Sequence, residues 1–170
     1  MGVNGGVEFI VLCLHIHNGP LFCINLYVHT RAFRSDDLPD CFLEEKSLLM
    51  GDLNARHKDL GSHFTTNING VRWKAFLDAT DTVMLTGDSV PTHTQGGRLD
   101  YVALSNVFQC PIETHLLPTL LSDHFALETT LPWSSVPHCI KEEAYYSSCS
   151  CPTTHFLCPI LVFCHQSHIL

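Results

Sequence analysis

Asp52 and Asn54 stand two apart in Gly51-Asp52-Leu53-Asn54, directly after a short apolar run, so a carboxylate and an amide can lean into one cleft. A carboxylate so placed can orient a water or hold a metal ion, and the amide can hold a phosphate oxygen. Asp123-His124 joins a hard oxygen ligand suited to Mg²⁺ to an imidazole that can donate to a phosphoryl oxygen. Asp100 falls inside the apolar run 98–104, where a carboxylate is costly unless paired, and the imidazole of His124 is a natural partner. An Asp that fixes a histidine tautomer and stabilises its charged form is a recurring catalytic device. Thr92 and Thr94 flank His93 just before Gly96-Gly97 and offer short hydroxyls to a phosphate. Each feature alone has a plainer reading. Gly-Asp-x-Asn is a common turn sequence, Asp-His can open a surface strand, Asp100 can be capped or edge-exposed, and the threonines can be turn residues. Their conjunction is what favours a catalytic cleft.

These side chains need elements to hold them. The β-rich runs VEFIVLCL (7–14) and LFCINLYV (21–28) read as a hairpin turning across Asn18-Gly19-Pro20. SLLMG (47–51) reads as a short strand that ends at Asp52. From Asn69 to Ala79 the period becomes helical, with Trp73, Phe76, Leu77 and Thr80 on one side and Asn69 as the candidate cap. RLDYVAL (98–104) and HFALETTL (124–131) alternate, the second placing Phe125, Leu127, Thr129 and Leu131 on one face with His124 at its start. The motifs therefore cluster at strand ends.

At 170 residues and 45% hydrophobic content the chain is long enough for one domain with a sizeable core. A net charge of −8, from nine basic against seventeen acidic residues, argues weakly against a protein that only grips nucleic acid. Eight of the nine basic residues lie between Arg31 and Arg98, which is either a local basic face or a solvated mixed surface. No secretory signal is expected, because the apolar FIVLCLHI follows Glu8 without a preceding Lys or Arg, and Gly6 stands where a myristoylation pattern needs Ser or Thr. No apolar run reaches the roughly 18 residues of a membrane helix. The nine cysteines, an odd number, read as reduced thiols, with Cys13, Cys23, Cys41 and Cys110 as small buried hydrophobes. The Cys-, Ser- and His-rich segment 134–170 has spacings that match no standard zinc site and reads as a poorly ordered extension.

The ordered series NLY, GDLNA, PTHT, RLDYV and SDHFAL, with LGSH and NGxxW between, resembles the endonuclease domain of non-LTR retrotransposons within the endonuclease/exonuclease/phosphatase superfamily. The resemblance covers about residues 7–133. It implies a DNase I-like two-sheet α/β sandwich with the site at one end of the sheets, and a Mg²⁺-dependent phosphodiesterase, with Mn²⁺ as the alternative ion, that nicks duplex DNA. It implies that Tyr27 contacts the phosphate, Asp52 activates water, Asn54 positions the scissile phosphate, and Asp100 orients His124, which stabilises the phosphoryl oxygens. Thr92 and Ser122 would bind phosphate, and Asp123 would face the metal. The chain departs from the family pattern at its front. An asparagine and the principal metal glutamate are expected before NLY, yet Glu8 is the only acid ahead of Tyr27, and it reads as an ordinary strand-end residue. The domain is thus expected to be incomplete on its N-terminal side, with exposed sheet edges and Mg²⁺ resting on Asp123 and Asp52. A DNA endonuclease of a nuclear retroelement, without its reverse transcriptase, stands beside a non-catalytic remnant or interaction domain. A phosphatase of a small phosphoester is a third reading, disfavoured by the GGRLDYV and SDHFAL wording.

Overall fold

A computed structural model of the chain describes residues 6–16, 19–29, 33–85, 90–107, 113–118, 122–130 and 144–146. The first two apolar runs form β1 (Val7–Ile16) and β2 (Gly19–Val28), antiparallel from Val7 opposite Val28 to Ile16 opposite Gly19. Gly19 and Pro20 therefore belong to β2 rather than to the expected turn; Asn18 lies outside the described residues. Pro20 is tolerated there because the next strand joins β2 only from Phe22 onward, so its missing N–H leaves no gap in that ladder.

A short helix, α1 (Cys41–Glu44), leads into β3 (Ser47–Asp52), which pairs parallel to β2 and is buried along its whole length. The remaining elements are α2 (Ile68–Thr80), β4 (Val83–Met84), β5 (Asp100–Leu104), β6 (Glu113–Leu117), β7 (Ala126–Thr130) and β8 (Ala144–Tyr146). The six-stranded sheet has the order β4-β5-β3-β2-β1-β8, and β6 and β7 form a separate antiparallel pair. β8 lies within the segment 134–170 and pairs with Ile10–Leu12; the other residues of that segment, and Leu131 before it, are outside the described set.

Strand alternation decides what each face of the large sheet carries. Ile24, Leu26, Val28, Leu49, Tyr101 and Ala103 face α2 and pack with Trp73, Phe76 and Leu77. Leu21, Cys23, Leu48, Met50, Val102 and Leu104 face the other way, onto Leu116 and Leu127 of the small sheet. The architecture is thus a mixed α/β fold in which a large sheet carries α2 on one face and a small sheet on the other, as the two-sheet reading expected. Trp73 is fully buried, stacked on Phe76 and edge-on to Phe33, each at 5.4 Å between centroids. Truncating such a side chain typically costs about 3–5 kcal/mol.

The helix starts two residues earlier than its apolar period indicated. Asn67, not Asn69, is the N-cap, its side chain accepting from the N–H of Gly70 at 2.8 Å. Asn69 is instead buried inside the first turn for a reason given below. Gly70 has no room for a side chain, since a Cβ would lie 2.0 Å from the Arg56 carbonyl oxygen.

Cys23 is buried in the core and Cys13 and Cys41 are half-buried, as small hydrophobes would be. Among the described residues no helix is long and apolar enough to cross a membrane.

Candidate active site

Strand register assembles the site. Tyr27 of β2 lies opposite Asp52 of β3, and Asp52 lies opposite Asp100 of β5, so three polar side chains form a row on the face that carries the small sheet. Glu8 extends the row onto β1 opposite Tyr27 and is engaged by His29, Nε2 to Oε1 at 3.0 Å. It stands at the second position of its strand, as its reading as a strand-end residue expected.

His124 completes the cluster. It is brought in by an isolated bridge to His93 and by the N–H of Phe125 donating to the Thr92 carbonyl at 2.8 Å. Its Nδ1 donates to Asp100 Oδ2 at 2.8 Å, and its Nε2 lies 3.9 Å from Asp52 Oδ2. The expected Asp100–His124 couple is therefore present, with Asp52 on the far nitrogen. Asp52 and Asp100 are buried and His124 is half-buried.

The backbone around Asp52 is fixed by its own motif. Asp52 Oδ1 accepts from the N–H of Asn54 at 2.8 Å, an Asx turn that Asn54 completes in a left-handed conformation with φ 46°. The Asn54 amide donates to the Val28 carbonyl at 2.8 Å, tying the turn to the end of β2. Thr92 is buried, and its hydroxyl oxygen accepts from the N–H groups of Leu99 at 3.0 Å and Asp100 at 3.1 Å, so it orders the entry into β5. Ser122 Oγ accepts from the N–H of His124 at 3.1 Å. Asp123 is exposed, and its Oδ2 accepts from His93 Nε2 at 3.2 Å.

Electrostatics follow from this packing. Burial, and then the neighbouring Asp100 carboxylate, pushes Asp52 up to about 6, against the opposing pull of the Asn54 N–H and His124. The hydrogen bond to Asp100 raises His124 above the ordinary imidazole range, helped by the charges of Asp100, Asp52 and Asp123 and opposed by burial. Its own backbone N–H, together with the nearby imidazoles of His124 and His93, holds Asp123 below the usual carboxylate range. Burial, then Asp52 and Glu8, raises Tyr27.

Ligand atoms of Asp52, Asp100 and His124 lie within 4.8 Å of one another, and so do those of His93, Asp123 and His124. Two buried carboxylates side by side are short of positive charge, and the elevated Asp52 registers that deficit. A hard divalent cation fits such an oxygen-rich set, with water and substrate oxygens filling the positions the protein leaves.

Three residues that hold the site were not singled out for it in the sequence. Asn67 accepts from the Arg56 N–H at 3.0 Å and donates to the Asn54 carbonyl at 2.7 Å, stitching α2 to the turn after Asp52. Asn69 accepts from the Phe33 N–H at 2.8 Å and donates to the Leu53 carbonyl at 3.1 Å, joining the loops on both sides of the row. His93 was visible only as the residue between two threonines. Asn69→Ala strands two buried main-chain groups at roughly 1–3 kcal/mol each. Urea unfolding is expected to show a loss of about 2–4 kcal/mol, and a loss below about 1 kcal/mol would mean that water replaces the amide.

Arg98 is buried with Nη1 on the Leu60 carbonyl at 3.0 Å, and Lys74 pairs with Asp78 on α2. Arg56 lies over the exposed ring of Phe64, 5.5 Å from its centroid.

Comparison with known proteins agrees with this geometry. The family described as endonuclease-reverse transcriptase matches residues 21–128, which include every candidate site residue. Among solved structures, the endonuclease domain of TRAS1, a telomere-specific non-LTR retrotransposon, superposes with a TM-score of 0.55 at 18% identity, over 69% of this chain and 58% of that one. The chain thus spans little more than half the length of that domain. No curated protein matches it. With the family match covering well over half of the chain and the fold shared with a retrotransposon endonuclease, the chain belongs to the endonuclease-reverse transcriptase family.

Proposed function

We propose that the protein is a divalent-metal-dependent endonuclease that hydrolyses one strand of duplex DNA. The observation that carries this reading is the Asp52–His124–Asp100 arrangement, in which one imidazole is anchored by a buried carboxylate on one nitrogen and turned toward a second carboxylate on the other. A Mg²⁺ or Mn²⁺ ion would be held at the Asp123 carboxylate, whose ligand atom clusters with that of His124, and, when bound, would neutralise charge on the phosphate oxygens.

The chain's own groups divide the remaining work. Asp52, raised to about 6, is ionised at neutral pH yet basic enough to accept a proton from an attacking water. His124, its Nδ1–H held by Asp100 and its ring favoured in the charged form, donates from Nε2–H to a non-bridging oxygen as negative charge develops there. Tyr27, exposed in the same row, would contact the phosphate. A nick that is to prime DNA synthesis must leave a 3′-hydroxyl. Water oxygen therefore bonds to phosphorus while the bond to O3′ breaks, and the departing oxygen takes up a proton. Arg56 over Phe64 offers a cation and an aromatic face for the flanking strand.

Relaxation of supercoiled plasmid in Mg²⁺, with EDTA and Asp100→Asn as controls, tests the reading. The expected result is metal-dependent nicking with a bell-shaped pH profile, its acid limb set by deprotonation of Asp52 and its alkaline limb, above the ordinary imidazole range, by loss of the His124 ring proton. A second reading, a domain that keeps the fold without the chemistry, is favoured by Glu8, which is committed to His29 instead of standing among the clustered ligands. Absence of nicking from a chain with intact secondary structure would make that reading the leading one.

A further inference from the structure

We propose that His93 is a positioning residue that fixes the Asp123 carboxylate, forming a second His–Asp couple joined to the Asp100–His124 couple. Its two ring nitrogens carry the argument. His93 Nδ1 receives a hydrogen bond from the backbone N–H of Gln95 at 3.1 Å. Because that N–H can only donate, Nδ1 holds a lone pair and the ring proton sits on Nε2. Nε2 is the atom 3.2 Å from Asp123 Oδ2, so the bond runs from His93 to the carboxylate with its direction set by the backbone.

The backbone fastens the same pair. His93 bridges to His124, the Thr94 N–H donates to the Asp123 carbonyl at 2.8 Å, and the two imidazoles meet edge to face at 4.8 Å between centroids. His93 thus holds both neighbours at 123 and 124, one by a hydrogen bond and the other by ring contact. Its side chain is largely covered while that of Asp123 is exposed, so the couple ties a surface carboxylate to a side chain that is itself held in place. The same geometry argues against His93 as a metal ligand in a His93–Asp123–His124 trio, because a lone pair on Nε2 would require moving the proton to Nδ1 and breaking the bond from Gln95.

The consequence for a cation at Asp123 rests on the function proposed above, so the test separates the two. In the full chain without metal, long-range ¹H–¹⁵N correlation of the histidine rings is expected to show His93 protonated on Nε2. The Asp123 Cγ resonance is expected to move in His93→Phe, which keeps a ring but no donor, and to return toward wild type in His93→Gln, whose amide can donate from a similar place. Mn²⁺ titration followed by water-proton relaxation is expected to show affinity about 10-fold weaker in His93→Phe and largely restored in His93→Gln. Protonation on Nδ1, or an Asp123 resonance unmoved in a folded His93→Phe, would overturn the proposal. If the wild type binds no Mn²⁺, the metal reading of the site fails on its own, and the tautomer and the Asp123 resonance still decide the role of His93.

Discussion

Asp52→Asn is expected to make the metal-free protein more stable at pH 8 while lowering its nicking rate about 10²–10⁴-fold. Asp52 is buried beside a second carboxylate, and its pKa rises from 3.8 to about 6 on folding. A carboxylate raised in this way binds its proton more tightly in the folded chain than in the unfolded one. Its effect is absent at low pH, and stability falls as pH rises from about 4 to about 6, staying lower above. Two pH units correspond to roughly 3 kcal/mol, so a gain of about 1–3 kcal/mol is the expected size. Asparagine keeps the oxygen that accepts from the Asn54 N–H, so the turn survives. The raised His124 acts in a higher window, adding stability below the ordinary imidazole value and losing it as pH climbs through its folded pKa. Urea midpoints measured in EDTA from pH 4 to 8 check this. Wild type should weaken across the lower half of that range and Asp52→Asn should not; parallel curves for the two proteins would show that Asp52 carries no electrostatic strain.

Gly51→Ala is expected to abolish folding. A Cβ at Gly51 would lie 1.8 Å from the carbonyl oxygen of Leu26, its partner in the parallel ladder, and φ there is +149°. The obstacle is backbone in the middle of a sheet and cannot swing aside, so a cost above about 4 kcal/mol is expected, comparable with the whole stability of a small domain. Circular dichroism and amide dispersion of the purified variant check this, and a cooperative unfolding transition close to wild type would contradict the close approach. The Gly of Gly-Asp-x-Asn is therefore a structural requirement that delivers Asp52 to its position.

That distinction shows what the sequence could convey. Asp52, Asp100 and His124 were legible because carboxylates and imidazoles at the ends of apolar runs are chemically expensive and their motifs recur in order. The face shared by Tyr27, Asp52 and Asp100 was less accessible, since it depends on the register between strands distant in the chain. Asn69 reads as a cap because periodicity counts only apolar residues. Asn67 and Asn69 look alike in composition, yet one caps α2 and the other bonds to Phe33 and Leu53. His93 escaped for a related reason: its role depends on a backbone N–H two residues later and a carboxylate brought up by a bridge. Gly19 and Pro20 read as a turn because both signal breaks locally, whereas here both fit at the start of β2, where the side facing β3 is unpaired.

The ladder that sets Asp52 beside Asp100, with the imidazole supplied 24 residues later, also governs when the cleft comes into being. Contacts between segments so far apart close late, after the local hairpin of β1 and β2 has formed. During synthesis at about 5–20 residues per second, β2 and β3 emerge well before the segment bearing His124. A nascent chain therefore displays its carboxylates for seconds with no histidine to meet them. Whatever chemistry the cleft performs begins only once the segment bearing His124 has been made.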